Sequence, residues 1–243
     1  MGPPTGGQPG DRRVTGMGPP TGGQPGDRRA LAWTSLALLL PLLLGASPNP
    51  GVMWVAPEAR VGVPPINRTP EGFLFVDEGG GAVEARGVLR TYRIEVEPET
   101  GVNARGFTFL AERILNDERG WTGAGNWALQ RVTSPDADIR VVLATPPTVD
   151  RLCAQAGLDT NGEVSCWNGL FAAINVDRWF KGAQGFVGSL PTYREYVLNH
   201  EVGHGLGYSH RPCPRPGARA PVMQQQTYAT RPCTANGWPA LTD

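Results

Sequence analysis

PTYREYVLNHEVGHGLGYSH, residues 191–210, is the stretch on which the reading turns. Pro191 suits the first turn of a helix, where its missing N–H is not needed. From there the chain reads as helical up to the glycines. Residues four apart on a helix share a face, so His200 and His204 can direct imidazole nitrogens at one point. Glu201, beside His200, can lean its carboxylate over that point without occupying it. Gly207 can take a left-handed backbone conformation that most residues avoid, which ends the helix and turns the chain back. His210 then supplies a third nitrogen. The chain has only three histidines and all of them fall here. Three neutral imidazoles with one open position form a catalytic rather than a structural site for a single Zn2+ ion. Glu201 is the expected general base. A plain amphipathic helix carrying ordinary histidines is the alternative, and the combined spacing of three histidines, a glutamate and a glycine argues against it.

Outward from this helix the pattern is mixed. Leu89–Glu97 alternates, with Tyr92, Ile94 and Val96 on one face of a strand. Residues Ala104–Leu115 place Phe107, Leu110, Ala111 and Ile114 at helical spacing before the stop signals Asn116 and Gly120. Trp127–Ser134 and Asp138–Ala144 read as two strands joined by a Pro-Asp turn. Thr148–Ala156 reads as a short helix and Phe171–Phe180 as one further buried strand. The fold class is therefore α+β.

The N-terminal part differs. MGPPTGGQPGDRR, residues 1–13, returns unchanged at 17–29, and its Gly, Pro and polar residues cannot bury a core. Residues 1–29 are expected to be a disordered duplicated leader. Arg28 and Arg29 precede an apolar run, residues 30–47, that ends in small residues and reads as a secretory signal peptide. An uncleaved N-terminal anchor is the alternative, giving a possible membrane tether. Residues 48–88 are rich in Pro and Gly and read as a linker or irregular segment, leaving 89–243 as the catalytic domain. A secreted or extracytoplasmic location follows. With 22 basic and 22 acidic residues, neither net charge nor a basic cluster points to nucleic acid.

Four cysteines in an exported chain favour disulfides. Three pairings exist; Cys153 with Cys166 and Cys213 with Cys233 are favoured because each closes a short loop beside the histidines. A Cys-ligated zinc site is the alternative, opposed by the lack of CxxC spacing. Minor features carry the blander reading. Asp159, Asn161 and Glu163 around Gly162 fit a polar Asx turn better than a cation loop. Asn67-Arg68-Thr69 has the form of a glycosylation acceptor, with Pro70 following. Trp121, Trp127, Trp167 and Trp179 are expected in the core rather than on a sugar platform.

HEVGHGLGYSH resembles the metzincin metallopeptidase signature HExxHxxGxxH at every fixed position. The flanks, CWNGLFAAINVDRW before it and HRPCPRPGARAPVMQQQT after it, resemble a secreted actinobacterial metzincin-like domain family of uncharacterised function. The likeness spans roughly residues 85–243, as judged from the motif and these flanks. It implies a zincin fold: a mixed twisted sheet on two main helices, with the active-site helix followed by a short C-terminal part. It also implies a Met-turn beneath the metal, which Pro221-Val222-Met223-Gln224 fits, with Met223 13 residues beyond His210. Some metzincins carry a further tyrosine ligand two residues after that methionine; here Gln225 stands there and Tyr228 lies three residues on. The implied activity is endopeptidase cleavage of peptide or protein substrates by a monomer. A non-catalytic zinc-dependent binding module and a cell-wall peptide hydrolase are the competing functions.

Overall fold

In the computed structural model, residues 62–81, 87–123 and 125–241 are described, and they all fall in one unit of the fold, Ala59–Asp243. The duplicated leader and the apolar run of residues 30–47, expected to be a signal peptide or anchor, lie outside the described residues. Among the described residues no helix is long and apolar enough to cross a membrane.

In chain order the elements are β1 (Ile66–Arg68), β2 (Leu74–Val76), β3 (Val88–Val96), α1 (Ala104–Leu115), β4 (Trp127–Arg131), β5 (Ile139–Ala144), α2 (Pro146–Ala154), β6 (Cys166–Trp167), β7 (Phe171–Asn175), α3 (Val176–Lys181) and α4 (Leu190–Gly205). They form a mixed α+β domain around one seven-stranded sheet in the order β1-β2-β3-β5-β7-β6, with β4 also on β3. The centre is parallel: β3 pairs β5, and β5 pairs β7. β4 runs parallel along the first half of β3. The antiparallel members lie outside, with β2 on β3 and β6 on β7.

The parallel centre is covered on both faces, which explains why every residue of β5 and β7 is buried. Tyr92, Ile94 and Val96 share a face, as their alternation predicts, and pack with Val141, Ile174 and the apolar residues of α1 and α4. The opposite face buries Val142, Ala144 and Ala173 against Val149 and Leu152 of α2. α1 starts where Asn103 caps it, its side chain accepting the Gly106 N–H at 2.9 Å. Ser189 caps α4 through the Thr192 N–H, so the helix begins at Leu190, one residue before the expected start.

Two expectations need correction. Residues within 48–88 are not all irregular: β1 and β2 form a hairpin (Ile66 opposite Val76) that pairs Leu74 with Val96 of β3. Strands of three residues give too little alternation to read. Long-range contacts hold the hairpin instead, with the Glu71 carboxylate accepting two bonds from Arg140 at 2.9 and 3.0 Å. Likewise, 171–180 is not one strand. Asn175 accepts N–H bonds from Asp177 and Arg178, so the strand stops there and α3 begins. The turn carries Trp179 under Phe107, ring centroids 5.1 Å apart.

Both favoured disulfides are present. Cys153–Cys166 ties α2 to β6, and Cys213–Cys233 closes the segment after α4. No cysteine is left free to bind a metal.

Under the hairpin lies a buried ionic group. Glu95 is fully buried and accepts bonds from Arg93 (2.6 Å) and from Arg140 (2.7 and 2.9 Å). Removing Glu95 takes the buried carboxylate from both guanidinium groups, leaving Arg93 with the Thr133 carbonyl and Arg140 with Glu71 alone. Glu95→Ala should cost about 3–5 kcal/mol. Asp177→Ala, at the exposed pair with Lys181, should cost under about 0.5 kcal/mol. Urea unfolding of the two variants checks the contrast.

Candidate metal centre

α4 is buried along most of its length, from Tyr193 to Gly203. His200 and His204 lie one turn apart near its end. His200 Nδ1 lies 2.8 Å from the Val222 carbonyl, and His204 Nδ1 lies 2.8 Å from the Tyr208 carbonyl. A carbonyl only accepts, so each Nδ1 carries the proton and each Nε2 presents a lone pair. Such second contacts fix both tautomer and ring direction at metal sites.

The helix ends as the glycine predicts. Gly207 has φ +95°. Its N–H reaches the His204 carbonyl at 2.9 Å, and the Tyr208 N–H reaches that of Gly203 at 3.0 Å. This pair of bonds is a Schellman closure. The chain then returns and sets His210 Nε2 3.1 Å from His204 Nε2. The ligand atoms of His200, His204 and His210 all lie within 4.8 Å of one another. Zinc–nitrogen bonds of about 2.0–2.1 Å in a tetrahedron set ligand nitrogens roughly 3.3–3.4 Å apart. The His204–His210 pair is close to that spacing, and the three nitrogens together could hold a metal ion. Burial pushes the His200 imidazole down to about 3 and lowers His204 and His210, which keeps all three neutral, as ligands must be.

Glu201 is buried beside His200, and burial raises its carboxyl to about 8. Below the helix, Pro221–Gln224 forms a turn closed by the Gln224 N–H on the Pro221 carbonyl at 3.0 Å. Met223 is fully buried, and its carbonyl accepts the Arg211 N–H at 3.0 Å. The carbonyls of Val222 and Met223 thus support the chain on both sides of the histidine cluster.

Two glycines unnoticed in the sequence shape this floor. A Cβ on Gly203 would lie 2.6 Å from Met223 Sδ and 2.6 Å from Trp121 Cζ2. One on Gly205 would lie 2.9 Å from Ile139 Cδ1 and 3.2 Å from Trp167 Cη2. Gly in a helix interior costs about 1 kcal/mol relative to Ala. Here it lets side chains touch the helix backbone on either side of His204. Two glycines flanking a helical histidine were the available signal.

The three histidines and Glu201 line a cleft of about 330 Å³. Gln225 and Tyr228 line it too, as do Leu158, Tyr196 and Trp167 of β6. Asp159 accepts the Asn161 N–H at 3.0 Å, so this segment is the Asx turn its sequence suggests. Trp121 and Trp179 are buried, and Trp127 and Trp167 pack against the same core.

A family model described as "Protein of unknown function (DUF3152)" matches residues 67–236, more than half of the chain, and the chain belongs to that family. No curated protein matches it.

Two outcomes follow from this geometry. Gly203→Ala should destabilise by roughly 1–3 kcal/mol through overpacking, against its gain in helix propensity, as urea unfolding would show. The second concerns pH. A carboxyl raised from 4.5 to about 8 binds its proton more tightly when folded. Its stabilisation is full below pH 4.5 and disappears as pH rises to about 8. His200, lowered from 6.5 to about 3, acts oppositely and costs stability as pH falls below 6.5. Above pH 6.5 only the Glu201 effect remains of the two. In chelator, the melting temperature of the parent should fall between pH 6.5 and 8, and that of Glu201→Gln should fall less. Equal slopes would refute the burial argument.

Proposed function

We propose that this member of the DUF3152 family is a metzincin-like zinc endopeptidase acting outside the cytoplasm, with His200, His204 and His210 as metal ligands and Glu201 as general base. The observation that carries this is the convergence of three imidazoles, two of them with Nδ1 committed to a carbonyl, with a buried carboxyl group adjacent. Bound there, zinc supplies Lewis acidity, polarising a carbonyl and lowering the pKa of water. The Met223 turn beneath α4 fits the Met-turn of that class.

The protein's own groups do the rest. Glu201 takes a proton from the attacking water and returns it to the leaving amine. A carboxyl raised by burial suits that shuttle, since it holds a proton near neutral pH and a nearby cation would lower it toward ionisation. Substrate orientation falls to β6. This strand pairs β7 on one side, and Cys166 and Trp167 line the cleft. An extended peptide adding to its outer edge would pass the histidines, held by main-chain hydrogen bonds. The Cys153–Cys166 bridge fixes this two-residue strand to α2. Leu158, Trp167 and Tyr196 offer an apolar wall to a substrate side chain. Two disulfides and the apolar segment after Arg28-Arg29 support export, because disulfides persist in oxidising compartments.

The test is digestion of a peptide library by the protein covering residues 48–243, with one zinc ion per chain verified by elemental analysis. Parent protein should cleave, and chelator should stop it. Glu201→Gln should keep the ion and lose about 100- to 10,000-fold in rate. An equally active Gln variant removes Glu201 as base. A zinc-loaded parent that cleaves nothing transfers the site to a binding role.

A further inference from the structure

We infer that Tyr208, clasped between two tryptophans, is a positioning residue that sets the third histidine in place before any ion binds. The inference rests on the reading that the histidine cluster holds a metal. Tyr208 lies two residues before His210 and is engaged through four groups at once. Its ring stacks on Trp121, centroids 4.4 Å apart and planes at 28°. Its hydroxyl accepts the Trp127 Nε1–H at 3.2 Å. Its N–H closes the helix on the Gly203 carbonyl, and its carbonyl accepts the His204 Nδ1–H at 2.8 Å. One residue thus orients the second ligand and anchors the bend that leads to the third.

The anchors are themselves fixed. Trp121 is buried, donates its Nε1–H to the Asn199 carbonyl of α4 at 2.9 Å, and lies against Gly203. Trp127 stands on β4, paired in parallel with β3. The loop between α1 and β4 is therefore joined to the ligand bend through aromatic contacts. His210 itself is an exposed residue on an irregular segment. Such a ligand would spread over many positions unless its neighbours held it, and ordering it on binding lowers affinity. A stacked, doubly tied Tyr208 removes that cost beforehand. Offset-stacked aromatic pairs and second contacts behind a ligand act in this way.

The experiment measures zinc affinity by competition with a chromophoric chelator, and the visible spectrum of the cobalt-loaded protein. Tyr208→Ser keeps the backbone carbonyl and deletes the ring. It should bind zinc about 10- to 100-fold more weakly, and the intense tetrahedral cobalt bands should weaken. Tyr208→Phe, which keeps the stacked ring, should restore most of the affinity. Phe107→Leu, a core change between α1 and Trp179, should lower the melting temperature and leave zinc affinity intact. Tyr208→Leu decides if the Ser variant does not fold, and it too should bind more weakly than Phe. The inference is overturned if Ser or Leu binds zinc as tightly as the parent. It is also overturned if Phe fails to rescue, or if Phe107→Leu loses affinity equally. A folded parent that takes up no divalent ion overturns the metal reading with it; parent uptake with unaltered variants overturns Tyr208 alone.

Discussion

The arrangement depends on one backbone constraint: a left-handed residue two positions beyond the last residue of α4. With φ at +95°, Gly207 lets the next N–H turn back to Gly203 and the next carbonyl meet His204. An L side chain at this φ is strained, so a replacement would favour a longer helix or a different exit. In either case His210 would leave the neighbourhood of His204. Convergence of the imidazoles thus follows from a choice made at the helix end, with carbonyl partners fixing the rings of His200 and His204 and the returning chain bringing His210 to them.

The surrounding fold serves that helix end. The parallel strands β3, β5 and β7 present an apolar face to α1 and α4, and the helix is buried enough to bring Met223, Trp121, Ile139 and Trp167 against its glycines. Burial has two electrostatic consequences. It holds the imidazoles neutral, ready as donors, and it makes the Glu201 carboxyl a reluctant acid. Both follow from low solvent access; a cation in the cavity would take up the neutral imidazoles and lower the Glu201 carboxyl toward ionisation.

Much of this was legible in the chain, for identifiable reasons. α1 was legible to the residue and the start of α4 to within one, because Asn103 and Ser189 cap them locally; α4 ends two residues before Gly207. The histidines and Gly207 were legible because all lie within one continuous motif. The hairpin of β1 and β2 was not, since its stability comes from Val96 and Arg140, far along the chain. α3 was hidden because Asn175 interrupts an apolar run without changing its composition. At the site, the carbonyls of Val222 and Tyr208 carry no side-chain signature. The contact of Trp121 with Tyr208 spans too many residues to infer from spacing. Met223 came only through a family resemblance, and its burial under Gly203 gives that position a physical account.

X-ray absorption at the zinc edge of the loaded protein tests the central claim most directly. The account predicts one ion per chain with three imidazole nitrogens at about 2.0–2.1 Å and no sulfur in the first shell. An oxygen-dominated six-coordinate spectrum, or one unchanged when His210 is replaced by alanine, would contradict it.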